Sequence, residues 1–141
     1  MTPEQAQIIK LTFAQVMRNK DKVGVTFYDR LFTIAPEVRP LFKGDVAEQS
    51  RKLMDTLALA VGMLREMPTL MMTLQGLARR HVGYGVRDEH YDKVGEALLW
   101  TLEKGLGDAF TPQVRDAWAA LYATVAKVMR DAAKGGTAAV A

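Results

Sequence analysis

A single histidine at the end of an apolar stripe is the residue best placed to do chemistry. Spacings of three and four residues place four residues on one face of a predicted helix: Leu70, Leu74, Leu77 and His81. Gly83 follows closely, and because glycine commonly ends a helix, His81 belongs to its last turn. His81 is either a core histidine satisfied by the backbone or a metal ligand. In the second case the Leu77 carbonyl, one turn earlier, would accept the other ring proton and fix the tautomer.

The composition restricts the kinds of metal site that this histidine could join. The 141 residues include no cysteine and only two histidines, His81 and His90. Disulfides, thiolate sites and cysteine nucleophiles are therefore excluded, and a structural zinc site is disfavoured. A porphyrin supplies four nitrogen ligands and needs one from the protein, so it suits a lone histidine. His90 lies near a predicted helix start, where we expect it to face solvent.

Charge and hydropathy indicate an ordinary globular chain. Nineteen Lys and Arg against sixteen Asp and Glu leave a formal charge of +3, and no basic run stands beside interleaved aromatic residues. Nucleic acid is therefore not an expected partner. No apolar run reaches about 18 residues, and no basic segment followed by an apolar run begins the chain. We expect a cytoplasmic protein with no membrane partner.

Helix start and stop signals fill the chain. Thr2-Pro3 and Thr111-Pro112 each place a hydroxyl cap before proline, and Asp45 and Asp88 are further predicted caps. Two prolines make residues 36–42 a short helical corner. No strand-length alternation of apolar and polar residues occurs. The sequence predicts an all-α domain of about seven to eight helices over residues 1–134, followed by a flexible tail at 135–141.

The order of these motifs resembles that of the globins, in particular bacterial single-domain haemoglobins and the haem domain of flavohaemoglobins. The resemblance covers residues 1 to about 132. It is carried by the segments FYDRLF at 27–32 and APEVRPLF at 35–42, then by Gln49, Arg80-His81, His90-Tyr91, Val94-Gly95, Ala117-Trp118 and Tyr122. It implies a globin fold whose helices pack around haem b.

The resemblance also implies roles for individual residues. His81 would be the proximal iron ligand, and Phe42 would stack on the porphyrin. Tyr28 and Gln49 would face the ligand-binding side and donate hydrogen bonds to a bound gas. Judged on pattern alone, Tyr28 would be an amphipathic core residue and Gln49 a surface residue. The remaining expected pocket residues are Leu53 on the ligand side, Leu77 and Tyr91 beside His81, and Val86 and Leu98 along the porphyrin.

Two features of charge bear on the haem. Lys52 and Arg80 are the cations that we expect near the porphyrin carboxylates, although exposed charges are usually only solvated. In the family a glutamate near the end of the last helix often accompanies the proximal histidine, and here Ala133 stands at that position. Without an anionic partner for His81, we expect strong activation of an O–O bond to be disfavoured.

Three classes of function follow from these expectations. The first is a haem protein that binds oxygen reversibly, and also nitric oxide and carbon monoxide, at a pentacoordinate or weakly hexacoordinate iron. The second is an enzyme, a nitric oxide dioxygenase served by an external flavin reductase, since no glycine-rich dinucleotide motif occurs here. The third is a helical interaction module without cofactor, in which His81 would be only a core residue.

Overall fold

The computed structural model describes residues 1–42, 44–83 and 87–140, and side chains throughout these ranges except at 82–83 and 134–140. All its regular elements are helices: α1 (Pro3–Met17), α2 (Lys20–Ile34), a 3₁₀ corner helix (Pro36–Leu41), α3 (Val46–Gly62), α4 (Met67–Gly83), α5 (His90–Leu106), a 3₁₀ turn (Gly107–Ala109) and α6 (Pro112–Val140). The all-α prediction is confirmed. The domain boundary at 134 and the tail at 135–141 stay predictions.

Local capping sets where several helices begin. Thr2 forms a full capping box with Gln5, Asp45 accepts the Glu48 N–H at 2.7 Å, and Thr111 accepts the Val114 N–H at 3.3 Å. The prediction that Asp88 caps α5 is wrong. That helix begins at His90, and the Asp88 carboxylate instead lies beside Arg130 of α6.

The larger core joins α1, α2, the corner helix, α3, α5 and α6. Trp118 of α6 is fully buried, and its indole N–H donates to the Thr12 hydroxyl of α1 at 2.9 Å. That hydroxyl in turn donates to the Ile8 carbonyl at 2.7 Å. The chain of two hydrogen bonds satisfies a buried donor and fixes α1 against α6.

The crossing of α2 and α3 is unusually close and positions the candidate site. A Cβ atom built on Gly24 would lie 2.6 Å from the Ser50 Cβ, so only glycine fits there. Tyr28 comes one turn after Gly24, and Gln49 immediately precedes Ser50. The close crossing therefore brings these two side chains towards the same space.

A smaller core lies under α4 and attaches this helix to α6. Its buried members are Ala60, Leu70, Leu74, Ala78, Tyr91, Ala126 and Met129. By contrast, α3 packs chiefly on α2. The helices that carry Gln49 and His81 thus pack chiefly on different partners, α3 on α2 and α4 on α6. Within the described residues, no helix is long and apolar enough to cross a membrane.

Candidate functional site

Four aromatic rings from α2 and the corner segment meet at one side of the larger core. The Tyr28 ring centre lies 5.0 Å from that of Phe27, 5.8 Å from Phe32 and 5.3 Å from Phe42. Tyr28 meets Phe27 and Phe42 edge-on, the arrangement that the ring quadrupoles favour. These contacts hold the Tyr28 ring in place, so its hydroxyl has a defined direction.

A cavity of about 400 Å³ opens beside this cluster. The described residues that line it are Tyr28, Phe32, Pro36, Arg39, Pro40, Phe42, Gly44, Val46 and Gln49. Three predicted site residues, Tyr28, Phe42 and Gln49, therefore meet at one space although α2, the corner and α3 supply them separately.

The polar groups of this cavity have few protein partners. The Tyr28 side chain is only 5% exposed, yet its hydroxyl makes no hydrogen bond within the described part of the chain. Burial raises the pKa of Tyr28 to about 12, so the phenol stays a neutral donor at physiological pH. The Gln49 amide nitrogen lies 3.3 Å from where a Gly44 Cβ would stand, so the absence of a side chain at 44 leaves room for this amide.

His81 occupies the last turn of α4 and is partly buried. Its Nδ1 lies 2.9 Å from the Leu77 carbonyl oxygen, which is the contact predicted from the sequence. Because a carbonyl can only accept, Nδ1 carries the proton and Nε2 carries the lone pair in the neutral ring. Burial lowers the pKa of His81, the Leu77 bond opposes that shift, and the Arg80 charge adds to it. His81 is therefore a neutral imidazole, the form that binds metals.

Tyr91, predicted to lie beside His81, is buried in the smaller core. Its ring lies under the Arg130 guanidinium, 5.5 Å from ring centre to guanidinium carbon, and its carbonyl accepts the Tyr122 hydroxyl proton. The Tyr122 ring covers Gly95 so closely that a Cβ there would lie 2.7 Å from it. Burial raises the pKa values of both tyrosines.

The other predicted pocket residues are dispersed. Leu98 is buried in the larger core and Leu53 packs partly buried against it, whereas Leu77 packs against the smaller core. None of the three lines the cavity beside Tyr28. Val86 lies outside the described residues, so its expected contact with the porphyrin edge stays a prediction.

The predicted cations lie away from this cavity, and another cation lines it. Lys52 is 66% exposed and pairs with Glu48 on its own helix at 3.5 Å, while the exposed Arg80 guanidinium runs back along α4 to Gly76. Arg39 instead lines the cavity and stacks on Phe32 at 5.0 Å. Sequence reasoning missed Arg39, although its position three residues before Phe42 in the corner was a usable signal.

The expectation that His90 faces solvent is wrong. Its side chain is buried, 8% exposed, and its Nδ1 accepts the Arg87 backbone N–H at 3.0 Å. His90 thus satisfies a backbone donor in the segment ahead of α5. It does not cap the helix, whose N-cap residue Glu89 makes no side-chain capping bond.

The donor set of the site suits a metal that brings most of its own ligands. Across the described ranges, no three His, Asp or Glu side chains come close enough to hold an ion among them. An aromatic wall and two polar donors line the cavity, and His81 on α4 offers a neutral imidazole, which together are the groups that a porphyrin requires. The residues present therefore fit haem and do not fit a bare ion.

Comparison with known proteins identifies the family. The family model described as Globin matches residues 25–129, which is most of the chain. The chain belongs to the globin family. This globin is 30% identical to a neuroglobin of Chaenocephalus aceratus, over 92% of its own length and 90% of the neuroglobin.

Two flavohemoproteins are similar at the same level. This globin is 32% identical to that of Deinococcus radiodurans over 96% of its own length, and 33% identical to that of Bordetella pertussis over 92%. It spans only about a third of either flavohemoprotein, 34% and 33%. Family membership thus supports a haem cofactor and gas binding.

Proposed function

We propose that this globin holds haem b through His81 and binds oxygen reversibly, with nitric oxide and carbon monoxide as further ligands. The observation that carries the proposal is the Tyr28 phenol, which lines a cavity shared with Gln49 and makes no hydrogen bond to a described residue. A ligand in this cavity would find a phenolic donor that no other described residue uses.

Haem, when bound, supplies an iron that takes up a diatomic gas. The protein residues then divide the remaining work. His81 would hold the haem through Nε2, because the Leu77 carbonyl accepts the Nδ1 proton. Phe42 and the neighbouring rings exclude water from the ligand side, which strengthens any hydrogen bond made there.

Tyr28 and Gln49 supply selectivity among gases. Oxygen held by the haem would carry more negative charge than carbon monoxide and would therefore be the better hydrogen-bond acceptor. The neutral Tyr28 phenol donates one proton, and the Gln49 amide offers a second donor. No histidine occurs in α3, so we propose a pentacoordinate or weakly hexacoordinate resting iron. The cytoplasmic location expected from the sequence stays a prediction.

Replacing Tyr28 with phenylalanine tests this function. A hydrogen bond in a dry pocket is worth about 1–3 kcal/mol, so oxygen dissociation from Tyr28→Phe should accelerate between about five-fold and a hundred-fold. Carbon monoxide dissociation, measured on the same preparation by ligand replacement, is the internal control and should change little. Equal changes for both gases, or no change for oxygen, would contradict the donor role.

Nitric oxide dioxygenation is the second candidate, favoured by the similarity to two flavohemoproteins over nearly the whole chain. This activity converts nitric oxide and oxygen to nitrate, with one electron from an external flavin reductase. Rapid mixing of the oxygenated protein with nitric oxide, followed by nitrate analysis with reductase supplied, distinguishes it. Sustained turnover would establish an enzyme, whereas a single conversion without re-reduction would favour the binding protein.

A further inference from the structure

Arg130 projects from α6 onto Asp88 and Asp92, at the start of α5. Its Nη2 donates hydrogen bonds to Asp92 Oδ1 at 2.8 Å and to the Asp88 carbonyl oxygen at 3.2 Å. Its Nε lies 3.3 Å from Asp88 Oδ1, at ion-pair distance but outside hydrogen-bond geometry. The Arg130 side chain is 28% exposed, whereas Lys127, one turn earlier on α6, is 77% exposed.

The same guanidinium covers the ring of Tyr91, which α6 therefore holds at two points. The guanidinium carbon stands 5.5 Å from the ring centre, within the range of a cation–π contact. The Tyr122 hydroxyl, also from α6, donates to the Tyr91 carbonyl. Backbone and ring of Tyr91 are thus both fixed from one helix.

Tyr91 in turn packs against the helix face that ends in His81. Its 7% exposed side chain belongs to the smaller core with Leu74 and Ala78 of α4. Residues 74, 78 and 81 share one face of a helix. A displacement of the Tyr91 ring would therefore change the packing beneath the last turn of α4.

We propose that Arg130 is a positioning residue for the iron-binding side of this globin. It fixes Tyr91 and residues 87–92 and, through Tyr91, sets the orientation of the His81 imidazole. The inference rests on the proposed function, because it requires His81 to be the iron ligand. Two carboxylates, Asp88 and Asp92, pair with the Arg130 guanidinium and hold it over the Tyr91 ring.

The test uses the holoprotein with Arg130→Met and, as matched control, Lys127→Met. Among the described residues Lys127 pairs with Asp131 of its own helix at 2.9 Å, so its replacement removes a cation from α6 without changing a contact of Tyr91. The readouts are the iron–histidine stretching band of the ferrous unliganded protein and amide hydrogen exchange at residues 87–92. Arg130→Met should shift and broaden the band and accelerate exchange, while Lys127→Met should match wild type.

Arg130→Lys keeps a cation but lacks the planar fork that reaches both aspartates, so it should restore the band only in part.

A second background separates positioning from general packing. In Tyr91→Leu, the further change Arg130→Met should move the band no more, because the route through the ring is already lost. An unshifted band in Arg130→Met, or an equal shift in the Tyr91→Leu background, would overturn the proposal.

Failure of the proposed function has its own signature. A His81→Gly protein that keeps the wild-type band without added imidazole would show that another residue binds the iron, and both proposals would fall. If His81→Gly loses the band and imidazole restores it, the proposed function stands. Unchanged exchange at 87–92 in Arg130→Met would then overturn only the role of Arg130.

Discussion

Gly24 and Ser50 meet at the crossing of α2 and α3 with no room for a second Cβ atom, since one on Gly24 would lie 2.6 Å from the Ser50 Cβ. The Ser50 hydroxyl at this crossing is buried and makes no hydrogen bond to a described residue. Tyr28 and Gln49 lie directly beyond the contact on the two helices. The distance between α2 and α3 therefore controls the size of the cavity that Tyr28 and Gln49 line.

Gly24→Ala should destabilise the fold and open the cavity. Overpacking at a close crossing costs about 1–3 kcal/mol, measured as the free energy of unfolding in urea. The double variant Gly24→Ala with Ser50→Gly removes the opposing Cβ and should recover most of that loss. If the double variant is no more stable than the single one, steric contact at this crossing is not the cause.

Ser50→Ala should leave the fold as stable as wild type or stabilise it by about 1 kcal/mol, because it removes a buried hydroxyl without a described partner. The comparison is again the free energy of unfolding. A loss of more than about 1 kcal/mol would show that the hydroxyl has a partner in solution.

Thr12→Val should cost about 1–3 kcal/mol, because it leaves the buried Trp118 indole N–H without its acceptor. Thr33→Val is the matched control. Thr33 bonds the Asp29 carbonyl on its own helix in the same way, but it is exposed and accepts from no buried donor. Its replacement should stay within about 0.5 kcal/mol of wild type. Equal losses in the two variants would contradict the role of the indole bond.

Alkaline pH should destabilise the protein partly through Tyr28. The pKa of Tyr28 is about 12 in the fold and 10.0 in an ordinary tyrosine. As the pH rises, this phenol therefore ionises in the unfolded chain before it ionises in the folded protein. The contribution of the neutral Tyr28 phenol to the free energy of unfolding is fully present below pH 10 and is lost as the pH rises to about 12. The total loss is about 3 kcal/mol. Urea unfolding of the carbon monoxide complex between pH 9 and 11.5 should show a shallower decline in Tyr28→Phe. Identical slopes would show that this phenol is not buried.

Arg39, rather than Lys52 or Arg80, should govern how fast haem is lost. It lines the cavity, and no described carboxylate pairs with it, whereas Lys52 already pairs with Glu48. Arg39→Gln should accelerate haem transfer to an apoprotein acceptor several-fold, since an ion pair made by an exposed cation is worth about 0.2–1 kcal/mol. Lys52→Gln and Arg80→Gln should change the rate little. The reverse ranking would favour the cations expected from the sequence.

Much of the fold was predictable because its signals are local. The capping pairs of Thr2 and Asp45, the proline corner and the apolar stripe through Leu74 act over one or two turns, and the structure has each of them. The bond from His81 to Leu77 is likewise set by helix geometry alone. The roles of His81, Tyr28 and Gln49 stay predictions until they are tested.

The errors fall where a partner comes from another helix. Asp88 was expected to cap α5, but its carboxylate lies beside Arg130 of α6, 42 residues later in the chain. Exposed cations were assigned from their positions on α3 and α4, while Arg39 reached the cavity because Phe32 supports its guanidinium.

The sequence by itself determined the helices and several of their caps, because hydrogen bonds within a turn and apolar periodicity depend only on near neighbours. Its resemblance to the globins supplied the candidate residues. Tertiary structure alone decided which charges face the cavity and that Arg130 lies over Tyr91. Such contacts depend on how helices cross, and the crossing at Gly24 and Ser50 is fixed by the packing of the whole core.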